Sequence, residues 1–165
     1  MAVRNILIYP HSTLSKPAVK VTKFHEQLHK VLDDMHETML FAGGVGLAAP
    51  QIGILKAMVV IKHEEQQLEL VNPVLTVKEG VQLEPLEGCL SLPDILARVK
   101  RYETITVQAQ DRFGEKIEHN CTGFLARIVQ HELDHLQGIL IIDRTKEVYK
   151  RKNKQAAEES ESKCK

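Results

Sequence analysis

Two histidines stand four residues apart, with a glutamate directly after the first, in the stretch Gln130-His131-Glu132-Leu133-Asp134-His135-Leu136-Gln137-Gly138. On an α-helix, residues i and i+4 lie on one face about one turn apart. His131 and His135 can therefore hold a single metal ion between them. Glu132 does not share their direction and suits another task, taking a proton from water at the metal. That is the chemistry of the H-E-x-x-H helix in metallohydrolases. The plain alternative is an amphipathic helix that merely carries two histidines and two acids.

Catalytic metal sites generally use three protein ligands and leave a position for water. Three sources of a third ligand are open. A downstream His or Glu is the arrangement of many zinc proteases, but no His follows His135, and Glu147 lies past a presumed strand. An upstream acid is the second source. The third is Cys89, a thiolate that divalent metals bind and deprotonate. A lone Cys is more often a small buried apolar residue. The setting Glu87-Gly88-Cys89-Leu90-Ser91-Leu92-Pro93, rich in turn residues, argues against burial deep in a strand. From one Cys and two His alone, zinc is the expected ion.

The elements around these residues follow from periodicity. Thr122 is placed to cap the motif helix, Gly138 ends it, and Phe124, Leu125, Ile128, Val129 and Leu136 make most of its surface apolar, so it belongs in the core. An earlier helix is expected from Thr22 to Gly43-Gly44, with an apolar stripe from Phe24 to Leu40. His25, His29 and His36 on it have charged flanks and no acid at the motif position, so they read as solvated. The segment Gly44-Val45-Gly46-Leu47-Ala48-Ala49-Pro50-Gln51 lacks the Gly-Lys-Ser/Thr ending of a phosphate loop and reads as a tight turn beside a cleft. Strands are expected at 57–61, 68–71, 74–77, 81–86, 105–110 and 116–119, with Asn72-Pro73 ending one of them. A further buried strand is expected at 139–142. Residues 1–20 read as an irregular arm interrupted by Pro10 and Pro17. The charged segment 147–165 reads as a tail that starts as a helix and frays.

Bulk properties exclude several classes. A length of 165 residues suits one domain, here taken as 1–146 followed by the tail. Lys+Arg and Asp+Glu balance at 22 each, which gives no electrostatic footprint for nucleic acid or an anionic membrane. No apolar run is long enough to cross a bilayer or serve as a signal peptide. Three widely spaced cysteines make no disulfide framework, and a reducing cytoplasm is the expected location.

Taken together, the stretches 44–51, 87–91 and 130–138 resemble the three motifs of the peptide deformylases, in that family's order and at about its spacing. Ile6-Leu7-Ile8-Tyr9-Pro10, Glu37-Thr38-Met39 and Asn72-Pro73 add to the likeness, which covers roughly residues 1–146. The resemblance implies an α+β fold, with small antiparallel sheets packed around a central metal-binding helix. It implies hydrolytic removal of the N-formyl group from N-formylmethionine at the start of newly made polypeptides, releasing formate. Residue by residue, Cys89, His131 and His135 match the metal ligands and Glu132 the general acid/base. Gln51 and the backbone N–H of Leu90 match the groups that hold the developing oxyanion, and Gly46 matches a backbone partner of the substrate. The implied ion is Fe(2+), replaceable by Zn(2+), Ni(2+) or Co(2+). The implied partners are N-formylmethionyl nascent peptides, with transient ribosome contact, no nucleic acid and no membrane. A monomer is expected.

The sequence departs from the family at Leu96, where many members carry an arginine seven residues after the metal-binding cysteine. Arg98 and Arg101 lie nearby as substitutes for gripping the peptide. Two other classes share parts of the pattern. An internal-bond metallopeptidase calls for a downstream third ligand, and a non-catalytic peptide binder would have lost a ligand or Glu132.

Overall fold

Residues with alternating burial pair into two antiparallel sheets, and the computed structural model describes residues 2–151 of the chain. In chain order the elements are α1 (Glu26–Phe41), β1 (Gly46–Ala48), β2 (Met58–His63), β3 (Gln66–Glu79), β4 (Glu87–Cys89), β5 (Leu92–Ala97), β6 (Thr104–Gln110), β7 (Lys116–Thr122), α2 (Gly123–Leu136), α3 (Ile141–Arg144) and β8 (Val148–Lys150). The larger sheet has the order β1-β2-β3-β6-β7 and the smaller β4-β5-β8. Both β1 and β4 are edge strands.

Strand alternation puts the two helices on opposite faces of the larger sheet. Val59 and Ile61 of β2 pack with Leu70, Ile105 and Val107 against Ala126, Val129 and Leu133 of α2. Met58 and Val60 face the other way and join Leu28, Leu32, Met35 and Met39 of α1. A third cluster seats the smaller sheet, through Leu92 and Ala97, on Leu14, Leu140 and Ile141. The α+β architecture with small antiparallel sheets around the motif helix is as the resemblance implies.

Several boundaries differ from the sequence reading, each for a stateable reason. α1 starts at Glu26 rather than Thr22, because the Asn72 side chain accepts from Val21 N–H (2.8 Å) and donates to Val21 C=O (2.9 Å), holding that stretch extended. His36 is buried, with Nε2 3.1 Å from Glu69, and His29 Nε2 bonds the Arg112 carbonyl at 2.8 Å, so neither is simply solvated. β3 runs straight past Asn72-Pro73. The register shifts between Val71 and Val74, and such a bulge accommodates a residue without an N–H.

Residues 81–86 form no strand. Gln82 pairs in an isolated antiparallel bridge with Arg101, and the Arg127 guanidinium donates to the carbonyls of Gln82 and Glu84, at 3.2 and 3.4 Å. The run at 139–142 is partly the helix α3, begun where Asp143 accepts from Leu140 N–H at 2.8 Å. A short apolar run fits helix or strand equally, and here the cap decides. The segment expected to open the tail as a helix is the strand β8, in register with β5. The rest of that tail lies outside the described residues. Among the described residues no helix is long and apolar enough to cross a membrane.

Candidate metal centre

Two secondary elements meet at the motif residues. α2 delivers His131 and His135 from one face, and β4 delivers Cys89 at its last position. One ligand atom from each of Cys89, His131 and His135 lies within 4.8 Å of the others. The Cys89 sulfur is 3.4 Å from His135 Nε2, and the two imidazole rings are 5.1 Å apart. A soft thiolate and two imidazoles so placed fit a single divalent cation.

The imidazole orientations suit the same role. His131 Nδ1 donates to Glu87 at 2.9 Å, which leaves Nε2 as the ring atom for the cluster. Burial and the neighbouring His131 hold His135 well below the usual imidazole range, so it stays neutral as a ligand must. Burial alone would lower His131 too, but Cys89 and Glu87 beside it outweigh that and raise it well above. The ionised Glu87 favours a positive charge there, for which a proton and a metal compete.

Beneath the cluster lies a buried ionic network that sequence reasoning missed. Glu87 accepts from Arg101 Nε (2.8 Å), Arg101 Nη2 (2.9 Å) and Arg127 Nη1 (2.8 Å), besides His131. Arg101 also donates to Asp134 at 2.6 Å, and Asp134 accepts in turn from Arg144. Burial would raise the Glu87 carboxyl, but the donors from Arg101 and His131 bring it to about 2, so it remains ionised. The available signals were an arginine inside the apolar stretch 124–129 and an acid two places before Cys89.

Glu132 is buried, and its Oε2 has no hydrogen-bond partner. Burial, with the charge of Glu87 adding and that of His131 opposing, raises its carboxyl to about 7 in the protein alone. The backbone of β1 passes so close that a Cβ on Gly46 would lie 2.4 Å from Glu132 Oε1. Gln51 follows in a short 3-10 turn, Ala49–Ile52. Its Oε1 accepts from Ala48 N–H at 2.9 Å, which turns Nε2 toward Ser91 Oγ (3.2 Å) and the Cys89 sulfur (3.9 Å). Leu90 begins the two-residue turn between β4 and β5 and is half-buried.

All the residues singled out from sequence thus come together. Gly46, Gln51, Cys89, Leu90, His131 and Glu132 line one cleft of about 530 Å³, with His135 buried behind them. The nearby cations do something else. Arg101 is locked under the site, and Arg98 pairs with Glu84 and Glu147. Leu96 is half-buried, opposite Gly88 on one side and Tyr149 on the other.

Comparison with known proteins decides the family. The polypeptide deformylase family model matches residues 3–151. This chain belongs to the peptide deformylase family. A peptide deformylase of Caldicellulosiruptor bescii is 47% identical over 144 residues, covering 87% of this chain and 86% of the relative. The crystal structure of a peptide deformylase from Legionella pneumophila superposes with a TM-score of 0.84 at 43% identity, covering 87% of this chain and 86% of that one. A Met-Ala-Ser-bound class I type b peptide deformylase from Acinetobacter baumannii gives a TM-score of 0.84 at 35% identity, over 87% of this chain and 99% of the other. Peptide deformylases are metal-dependent hydrolases that remove the formyl group from N-formylmethionyl peptides, and that is this chain's function. Cys89, His131 and His135 are the group of described residues able to hold such a metal.

Proposed function

We propose that Cys89, His131 and His135 bind one divalent cation and that Glu132 is the general acid/base of deformylation. The observation that carries this reading is the juxtaposition of the three ligand atoms with a buried carboxylate oxygen that has no partner. When bound, the cation acts as a Lewis acid and acidifies a water in the cleft. Glu132 accepts the water's proton as its oxygen adds to the formyl carbon. The C–N bond then breaks, and Glu132 returns the proton to the departing methionine amine, leaving formate and a free N-terminus. The Gln51 amide and the Leu90 N–H stabilise the charge on the formyl oxygen. Removal of one such donor generally costs about 3 kcal/mol of barrier. The fixed orientation of Gln51 on Ala48 supports its part, since a preoriented donor needs no reorganisation as charge develops.

Gly46 gives the substrate a backbone partner. Its strand is an edge of the larger sheet, so one side of β1 is open to an added strand. The physiological ion is taken as Fe(2+), with Zn(2+), Ni(2+) and Co(2+) as functional replacements of the same ligand set. The substrates are N-formylmethionyl nascent peptides, met in the cytoplasm during transient contact with the ribosome, and the enzyme acts as a monomer with one catalytic domain.

The test is formate release from an N-formylmethionyl tripeptide by protein purified without oxygen, against Glu132→Ala at matched metal content. Turnover that falls at least a hundredfold in the variant supports the assignment. Retained turnover in Glu132→Ala would remove Glu132 from the mechanism.

A further inference from the structure

We infer that Arg151 is a substrate-positioning residue, whose guanidinium binds main-chain oxygens of the peptide downstream of the formylmethionine. The proposal rests on the deformylase reading and extends it to the far end of the cleft. β8 runs antiparallel to β5, with Ala97 opposite Val148, Leu96 opposite Tyr149 and Ile95 opposite Lys150. It therefore heads toward the end of β5 that adjoins Cys89. Arg151 continues the ladder by donating its N–H to the Asp94 carbonyl at 2.8 Å. That places its side chain among those lining the cleft, together with Pro93, Asp94 and Ile95.

The charges around the cleft single this residue out. Arg127 also borders the cleft, but its guanidinium is consumed by Glu87 and the Val99 carbonyl. Arg151 is exposed, and none of the ion pairs among the described residues includes it. Alternation puts Arg151 on the same face of the smaller sheet as Tyr149 and its neighbour Leu96, while Lys150 points to the other. β5 itself, Leu92–Ala97, carries no cation. A peptide in extended form advances about 3.3 Å per residue, so the residues after the formylmethionine run along the cleft away from the cluster. Their carbonyl oxygens are strong acceptors that leave water on binding, and a guanidinium offers several donors in a fixed fork. Recognition of main-chain oxygens suits an enzyme whose substrates share only their first residue.

The experiment compares two C-terminally amidated substrates, formyl-Met-Ala and formyl-Met-Ala-Ser, with the metal-loaded full chain. Arg151→Ala is expected to raise KM for the longer peptide about three- to tenfold, with kcat within twofold and a smaller rise for the shorter peptide, which keeps only the second residue's carbonyl. Arg151→Lys recovers part of the loss, since it keeps the charge but not the fork. Lys150→Ala, which removes an equal charge from the opposite face, leaves both substrates unchanged. Equal KM for wild type and Arg151→Ala on the longer peptide would overturn the proposal, as would an equal loss with Lys150→Ala. Failure of the deformylase reading would look different, with no formate released from either peptide by the unsubstituted chain.

Discussion

Glu87 sets the polar frame of the site while standing outside the cluster of possible metal ligands. It receives two arginines and the Nδ1 proton of His131, and so fixes which imidazole nitrogen faces Cys89. Glu87→Gln keeps the shape but removes the charge. We expect metal affinity to fall about 10- to 100-fold, read by competition with a chelator. Stability should fall by about 3–5 kcal/mol in urea unfolding, because Arg127 keeps buried charge without its counterpart and Arg101 retains only Asp134. Unchanged metal affinity would mean that Glu87 is structural only. At this scale the sequence was legible where chemistry is local. The i, i+4 histidines and the adjacent acid declare themselves in five residues. The acid and arginines beneath them do not, because Glu87, Arg101, Arg127 and Asp134 meet only through the fold.

At the scale of elements, the site depends on how closely β1 approaches α2. Gly46 has no side chain, and any Cβ there would fall 2.4 Å from the Glu132 carboxylate. Gly46→Ala must push that carboxylate aside. A misplacement of about 1 Å at a reacting group can cost on the order of a hundredfold, and we expect a kcat loss of that size with metal content preserved. Equal kcat in the variant would show that Glu132 relaxes without cost. The glycine-rich segment was readable as a close approach, yet its partner was not, since sheet register is set far along the chain. The same limit explains the misread strands. Residues 81–86 have strand-like composition, but their pairing stops at a single bridge from Gln82 to Arg101 while Arg127 binds the carbonyls of Gln82 and Glu84, and β8 exists because β5 offers an edge.

At the scale of the whole molecule, a second ionic group joins α1, β3 and the turn between β6 and β7. Arg112 donates to Glu69 at 2.8 Å and to Asp33 at 2.8 Å, and His36 lies 3.1 Å from Glu69. Burial would raise the Glu69 carboxyl, but the donors from Arg112 and His36 lower it from 4.5 to about 2. A carboxyl depressed by folding contributes stability above its unfolded pKa and loses it as pH falls. The contribution should be present at neutral pH and disappear between about 4.5 and about 2. Glu69→Gln is expected to flatten that acid limb in urea unfolding followed against pH, and an unchanged slope would place the acid sensitivity elsewhere. The α+β class was available through the resemblance of three motifs to a family, whereas the division of the core into three clusters was not. One feature of that core limits how the enzyme can diverge. α2 carries His131 and His135 on one face with Glu132 beside them, and places Ala126, Val129 and Leu133 in the main cluster. Mutational drift along this helix is penalised twice, once in folding and once in chemistry. New substrate preferences are therefore most accessible to descendants through the edge strand β8 and the residue that follows it, where a changed side chain alters the cleft mouth without disturbing the buried helix.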